Sequence, residues 1–553
     1  MIPEEEIRRH AIRNAFMHSG VADIKAVSSK IFGEFPEARK SPKETLSLVA
    51  EVVSRVNSLG SSAITELVQR DFPEFLVKEE RKEDHRLPDL NNVKGHVVMR
   101  LAPSPSGPLH LGHTRMAMLN DEYVSRYGGE LILRLEDTNP ANIDPEAYEM
   151  IPQDLENIGV KIHRVVIQSE RMEIYYEEAR RLIESGHAYV CLCKAEDMRK
   201  LKLQSIACPH RNTTPEQHEK LFDDMIGGKF PPGTATLVIR TDLFHPNPSL
   251  RDWIAFRISP AKHPRTGEKY YAFPMMNFSV AVDDHRLGLT HVLRGKDQLN
   301  NTDRQRFIFQ YSNWQMPEYY HYGMISLPGE KLKTSIIRKG IRDGKYSGWD
   351  DVRLNTVRAL LRRGYKPETF RRYWVESGLR EIDASFSWDI FNSMNRELID
   401  GTSLRLFFVR DPVPVLVKNG PKSRVMIPFH PEHRELGFRE MHVGGSPTIL
   451  IQAEDWNGMS EGSTVRLKDL YNVERSGDQL VYKQNQEFNP KTMKIIHWLP
   501  EDSGEFTVLK PDGSRDDGRI ESNITLVNGT SQFERYGYVT IEKERNSALF
   551  LHR

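Results

Sequence analysis

The chain has 553 residues, with 77 basic and 77 acidic side chains and a formal charge of zero. That balance excludes a global field for polyanions, so any nucleic acid must be met by local basic patches. Apolar content of 38% fits roughly three to five soluble domains, and no apolar run is long enough to span a bilayer. The start, M-I-P-E-E-E-I-R-R, is charged and lacks a secretory apolar core, which predicts a cytoplasmic protein with no membrane partner. Residues 1–90 read as a helical N-terminal extension and a charged linker. Ser41-Pro42-Lys43-Glu44 predicts a capping-box helix start, followed by Leu46, Val49, Val52, Val53 and Val56 at helical spacing up to Gly60. K-E-E-R-K-E-D-H-R then marks the linker.

From residue 91 the pattern alternates. Val97–Leu101 reads as a strand, Thr114–Tyr127 as a helix and Glu130–Leu135 as a strand. A helix near 145–158, the strand His163–Ile167 and a helix from Arg171 to Ser185 follow. Such alternation predicts a parallel sheet covered by helices. Residues 187–285 break it with proline-rich turns and short β-like runs, and read as an insertion between two halves of the sheet. Alternation resumes over 286–348, a helical block spans 349–400, and short strands fill 401–553, as in a pair of β-barrels. The predicted class is multidomain α/β plus all-β, built on a split, Rossmann-like parallel-sheet domain.

Pro103–His113 reads P-S-P-S-G-P-L-H-L-G-H between the first strand and the first helix of that domain. A strand, a Pro/Gly turn and a helix start are the layout of a nucleotide site. His110 and His113 are three residues apart, so on a helix they share a face, and Gly112 lets a ligand approach the backbone. Two imidazoles at a helix start can donate to phosphate oxygens. Arg100 ends the first strand and suits bidentate capture of a carboxylate. The three cysteines fall in one window and, with His210, form C-x-C-x14-C-x-H from Cys191 and Cys193 to Cys208 and His210. Two short chelating pairs separated by a loop suit tetrahedral zinc; the alternative is small buried cysteines with His210 on the surface. Arg353–Arg372 holds Arg353, Arg358, Arg362, Arg363, Lys366, Arg371 and Arg372 against one acid, Glu368, and predicts a basic helical face tracking phosphates.

H-L-G-H in its proline–glycine frame resembles the HIGH signature of class I aminoacyl-tRNA synthetases, and A-P-S-P-S-G resembles their glutamyl branch. Glu136-Asp137-Thr138, the segment Pro274–His285 with V-D-D-H, and Thr290–Asp297 with V-L-R are similar to further segments of that branch. Lys331-Leu332-Lys333-Thr334-Ser335 resembles K-M-S-K-S, with the second lysine one place early. Lys494–Trp498 and Gln532–Tyr538 look like strands of the anticodon-binding barrels of glutaminyl and eukaryotic glutamyl enzymes; with a glutamyl-type active site, that is the archaeal glutamyl combination. The resemblance implies ATP-dependent joining of L-glutamate to tRNA-Glu through a glutamyl-adenylate, with release of AMP and pyrophosphate, and leaves tRNA-Gln open as a second acceptor. It implies ATP and Mg²⁺; a monomer is expected, with structural Zn²⁺ on the cysteine–histidine cluster. It implies His110, His113, Lys331 and Lys333 as catalytic groups and Arg100, Ser104, Glu136, Asn277 and Arg294 as the amino-acid pocket. Pro103, Gly107, Gly112 and Ser335 would line ATP with the two histidines. The insertion, 187–285, would bind the acceptor stem, and 349–400 would contact the stem. Glutaminyl-tRNA synthetase and a catalytically inactive tRNA-binding paralogue are the alternatives. Met276 stands where bacterial glutamyl enzymes have a pocket tyrosine, so that contact does not carry over.

Overall fold

The structure, a computed structural model, describes residues 3–17, 20–35, 38, 41–72, 75, 87–327, 334–484 and 487–553. The chain divides into two compact units, 1–84 and 85–553. In the first, α1 (Glu4–Met17), α2 (Ile24–Glu34), α3 (Pro42–Asn57) and α4 (Gly60–Asp71) pack around Ile7, Ile12, Val49, Val53, Ile64 and Val68. Ser41 occupies the N-cap of α3 with Pro42 behind it, but its hydroxyl makes no capping bond, so the predicted capping box does not form. Leu46 is exposed; Thr45 takes the buried place on that face.

The second unit begins with a parallel layer. β1 (Val98–Leu101), β2 (Glu130–Leu135) and β3 (Arg164–Ile167) pair in the order β1-β2-β3, with Val98 opposite Glu130 and Ile132 opposite Arg164. All four residues of β1 are buried, as expected of a strand covered on both faces. α5 (Leu111–Tyr127) and α6 (Ala147–Asn157) pack on this layer, and α7 (Met172–Glu184) packs in the core of the sheet that follows. Between the halves of this layer, β4 (Ala188–Cys191), β5 (Thr236–Ile239), β6 (Trp253–Ile258) and β7 (Ala272–Pro274) form an antiparallel sheet, with α8 (Ala195–Leu203) and α9 (Pro215–Ile226) in its connections. α10 (Met276–Arg286) leads back to β8 (His291–Gly295), which pairs in parallel with β9 (Glu318–Tyr322) across α11 (Leu299–Tyr311). Thr290 ties β8 to β1: its N–H donates to the Val98 carbonyl at 3.0 Å, and its hydroxyl accepts from the Val98 N–H at 2.9 Å. The carboxyl ends of β1, β2 and β8 therefore meet in one crevice, although more than a hundred residues lie between the halves.

α12 (Thr334–Arg342), α13 (Val357–Arg363), α14 (Pro367–Ser377) and α15 (Trp388–Ile399) follow. The basic stretch across α13 and α14 is not the free phosphate-tracking face the sequence predicts. Arg358 pairs with Asp154 at 2.8 Å, Arg362 with Glu542 at 2.5 Å, and Arg371 with Asp121 and Glu122. Arg353 pairs with Asp351, Arg372 with Glu376 and Glu397, and the buried Arg363 donates to the Leu551 carbonyl. These arginines clamp the helices onto the parallel layer and the C-terminal sheets. Their acids lie mostly far away in sequence, so a local charge count does not see them.

Beyond residue 403 the chain forms two seven-stranded sheets. One has Leu404–Leu406 and Phe408–Arg410 as its edges, the other Lys494–Ile496 and Leu499–Pro500. In each, the two edge strands are consecutive pieces of one segment, so the sheet curls back on itself into a barrel-like form and leaves little edge unpaired.

Candidate active site

The strand-to-helix turn of the first half is built by glycines and a capping histidine. The helix expected from Thr114 starts at Leu111, three residues earlier, because His110 is the N-cap in an extended conformation. Its Nδ1 accepts from the Gly112 N–H at 3.0 Å, while Nδ1 of His113 accepts from the His110 N–H at 3.3 Å. Side chain and backbone thus satisfy each other reciprocally, a histidine version of a capping box. An imidazole nitrogen that accepts carries no proton, so each neutral ring holds its hydrogen at Nε2. The rings stack with centroids 3.8 Å apart. Burial lowers His110, and burial reinforced by His110 pushes His113 down to about 3. The pair is therefore neutral at physiological pH and offers N–H donors, not cations. Gly112 is required by this packing: a Cβ there would lie 2.9 Å from Cε1 of His110. Gly107, at φ +150°, lets Thr334 close on the turn; a Cβ there would lie 2.4 Å from the Thr334 methyl.

A cleft of about 780 Å³ opens at the carboxyl ends of the strands. Arg100, Ser104, His110, Gly112, His113, Glu136 and Arg294 all line it, so residues from four separate motifs share one hollow. Pro103 lies beneath, its carbonyl accepting from the Glu136 N–H at 3.0 Å. Ser335 is exposed on the first turn of α12, and Thr334 beside it lines the cleft. Arg338, one turn on, donates to the Ser106 carbonyl and pairs with Asp144 at 3.0 Å, which ties α12 to the 103–108 turn. Lys331 and Lys333 lie outside the described residues. Asn277 stands behind the wall, its amide bonded to Gln305 and Asn301.

The wall of the cleft at Arg100, Glu136 and Arg294 is a buried ionic cluster. Asp284 accepts from Arg100 at 2.8 and 3.2 Å and from Arg134 at 2.6 Å. Arg134 also holds Glu136 at 2.9 Å, and Asp283 takes Arg171 at 2.7 Å together with Gln168 and Tyr175. Although burial opposes it, Arg100 and Arg134 hold the Asp284 carboxyl well below the usual carboxylate range. Arg294 differs from the other three arginines. Its Nη1 donates to Thr302 Oγ1 at 3.1 Å and Gln305 Oε1 at 3.0 Å, its plane lies over Tyr319, and among the described residues it has no carboxylate partner. Burial, with Arg100 nearby, lowers it to about 10, still charged at neutral pH. Four guanidiniums face three carboxylates, and the surplus positive charge belongs to Arg294. Thr302, Gln305 and Tyr319 carry no motif, whereas Arg134 opens the R-L-E-D-T run at the end of the second strand.

Away from the cleft, the end of β4 and the turn Pro209–Asn212 bring Cys191, Cys193, Cys208 and His210 together, with all four ligand atoms within 4.8 Å of one another. Sulfur–sulfur separations of 3.4 and 3.7 Å and sulfur–Nδ1 separations of 3.4 and 3.6 Å approach the edges of about 3.5–3.8 Å that tetrahedral zinc bond lengths require. The donor set fits Zn²⁺, which would cross-link strand and turn.

With this geometry in place, the chain can be compared with known proteins. Residues 96–401 match the class I tRNA synthetase (E and Q) catalytic domain, and residues 403–489 the anticodon-binding domain of the same class. The chain belongs to this family. It is 55% identical to the glutamate–tRNA ligase of Thermoplasma volcanium over 99% of this chain and all of the relative. It is 56% identical to that of Thermoplasma acidophilum over 92% of each, and 43% identical to that of Methanocaldococcus jannaschii over the whole of both.

Two outcomes check the geometry. Protein purified without chelators should carry about one equivalent of zinc; less than about half an equivalent contradicts a tight four-ligand site. His113 binds its proton less readily folded than unfolded, so its contribution to stability is present above about pH 6.5 and lost as pH falls toward 3. Between pH 7 and 5, His113→Gln should therefore lose less stability than the native chain, by roughly 1 kcal/mol after allowing for partial exposure. Equal pH slopes in thermal melts would contradict a His113 held neutral in the fold.

Proposed function

We infer that the chain attaches L-glutamate to tRNA at the expense of ATP. The glutamate α-carboxylate attacks the α-phosphorus and pyrophosphate leaves. A hydroxyl of the terminal tRNA ribose then attacks the acyl carbon and AMP leaves. Family membership and the full-length glutamate–tRNA ligase relatives support this activity. The observation that carries the choice of amino acid is the unpaired positive charge of Arg294 on the cleft wall.

In this reading Arg294 and Arg100 receive the side-chain carboxylate, and Glu136, set by Arg134, receives the ammonium, with Ser104 beside it. A charged guanidinium favours a carboxylate over a carboxamide by the difference of one buried charge, which disfavours glutamine. The Nε2–H groups of His110 and His113 meet phosphate oxygens, helped by the free N–H groups at the start of α5. Because both rings are neutral, they stabilise developing charge as hydrogen-bond donors of the oxyanion type. Lys331 and Lys333, with Ser335, are the candidates for the pyrophosphate side. Mg²⁺, when bound with ATP, would offset part of the phosphate charge. His110, His113, Arg100 and Glu136, all present and lining one cleft, also disfavour an inactive tRNA-binding paralogue.

The domain roles follow: 91–186 and 286–348 form the catalytic halves, 187–285 holds the acceptor end with its zinc knot, 349–400 braces the stem side, and 401–553 reads the anticodon. Charging of tRNA-Gln, action as a monomer and a cytoplasmic location belong to the same proposal. For location, the structure adds only that no helix among the described residues is long and apolar enough to cross a membrane.

Charging of total tRNA with labelled glutamate and labelled glutamine in parallel tests the reading. Glutamate should be transferred and glutamine should not; the reverse makes the chain a glutaminyl enzyme, and transfer of neither favours the inactive paralogue. His110→Ala should slow adenylate formation by about ten- to a thousandfold, the range for losing one such donor. An unchanged rate removes His110 from the chemistry.

A further inference from the structure

Behind Arg294 runs a line of hydrogen-bonded side-chain amides, of which only Asn277 falls in a segment that the sequence resemblance marks. Arg294 Nη1 donates to Gln305 Oε1 at 3.0 Å, and Gln305 Nε2 donates to Asn277 Oδ1 at 3.2 Å. Asn277 Nδ2 donates to Asn301 Oδ1 at 3.1 Å, Asn301 Nδ2 to Gln298 Oε1 at 2.8 Å, and Gln298 Nε2 to Asp297 Oδ2 at 2.7 Å. α11 supplies Gln305 and Asn301, and α10 supplies Asn277. Gln305 is fully buried.

The direction of this relay is fixed from both ends. A guanidinium only donates, so Gln305 must turn its oxygen to Arg294 and its NH₂ group to Asn277. A carboxylate only accepts, so Gln298 must turn its NH₂ group to Asp297. The two ends impose the same polarity, and every amide between them has one allowed orientation, whichever way it would otherwise be flipped. Aligned dipoles in a low-dielectric interior strengthen one another. The relay thereby holds Nη1 of Arg294 without cancelling its charge. Thr302 takes the other Nη1 hydrogen, and among the described residues Nε and Nη2 have no protein partner.

We propose that Gln305 is a positioning residue that keeps Arg294 oriented and uncompensated, and that this neutrality of position 305 sets the preference for a carboxylate over a carboxamide in the amino-acid pocket. The inference rests on the glutamate reading above. A glutamate at 305 would have the same shape and would accept the same hydrogen bond, but it would neutralise Arg294 from within. It would also lose the donor to Asn277 and so break the relay at its first link.

The test is tRNA-dependent pyrophosphate exchange by the full chain, with glutamate and glutamine as alternative substrates. The native enzyme is measured first. If it shows no preference for glutamate, the glutamate reading itself fails. If it does, Gln305→Glu should raise the KM for glutamate by about thirtyfold or more, and lower the glutamate-over-glutamine ratio of kcat/KM by a similar factor, with the KM for ATP within about threefold. Gln305→Met, which removes the acceptor but adds no charge, should keep most of the ratio and lose less than about fivefold in KM. Should Gln305→Glu not fold, Asn277→Asp places the carboxylate one link further on and should still lower the ratio, by less. A ratio within about threefold of native in the folded acidic variant overturns the proposal, as does an equal loss in Gln305→Met, which would make Gln305 a packing residue only.

Discussion

A buried guanidinium without a counter-ion is expensive, and the chain retains one at Arg294. Three things lower the cost. Thr302 and Gln305 accept from it, the ring of Tyr319 lies against it, and Asp284 sits one layer away, holding Arg100 and Arg134. None of these removes the positive charge. Hydrophobic residues of similar volume would serve stability at least as well, so the charge makes sense as half of a pair whose other half arrives with the substrate. The rest of the site depends on that choice. Asp284 has to be saturated by Arg100, Arg134 and the Tyr319 hydroxyl so that it does not itself capture Arg294, and Arg134 holds the Glu136 carboxylate in place, ready for the ammonium of the proposed substrate.

At the other end of the cleft the logic is reversed. The histidines are kept neutral by burial and by each other, and their Nδ1 atoms are committed to backbone donors. What remains for a ligand is a pair of N–H groups fixed by the helix cap, so in the proposed reaction little reorganisation is needed when charge builds on a phosphate. Under that proposal one end selects by charge and the other stabilises by prepaid geometry. Gly112 and Gly107 belong to the second device, because each yields the space in which a ring or a methyl closes on the turn.

Much of this was legible in the sequence, for physical reasons. Strands β1, β2 and β8 are legible because burial on both faces makes them largely apolar runs, and the turn at 103–113 is legible because its glycines and histidines stand in a compact, distinctive frame. The metal-type cluster was legible because four ligands of the right kind in one short window rarely assemble by chance. Long-range pairing was not. The arginines of 353–372 look like a free basic face until Asp121, Asp154 and Glu542 arrive from elsewhere in the fold. Thr302, Gln305 and Tyr319 carry no local signature, because an amide or hydroxyl becomes informative only when a guanidinium stands against it. Helix patterning starts α5 three residues late because histidine is an uncommon N-cap, and the ring–backbone exchange that makes it one leaves no periodic signal.

Equilibrium binding of glutamate and of glutamine to the native chain and to Arg294→Met addresses the unpaired charge directly. The native chain should bind glutamate at least about a hundredfold more tightly than glutamine, and the variant should bring the two within about threefold, chiefly by weakening glutamate. A variant that keeps the native preference would mean that the charge on Arg294 does not choose the substrate.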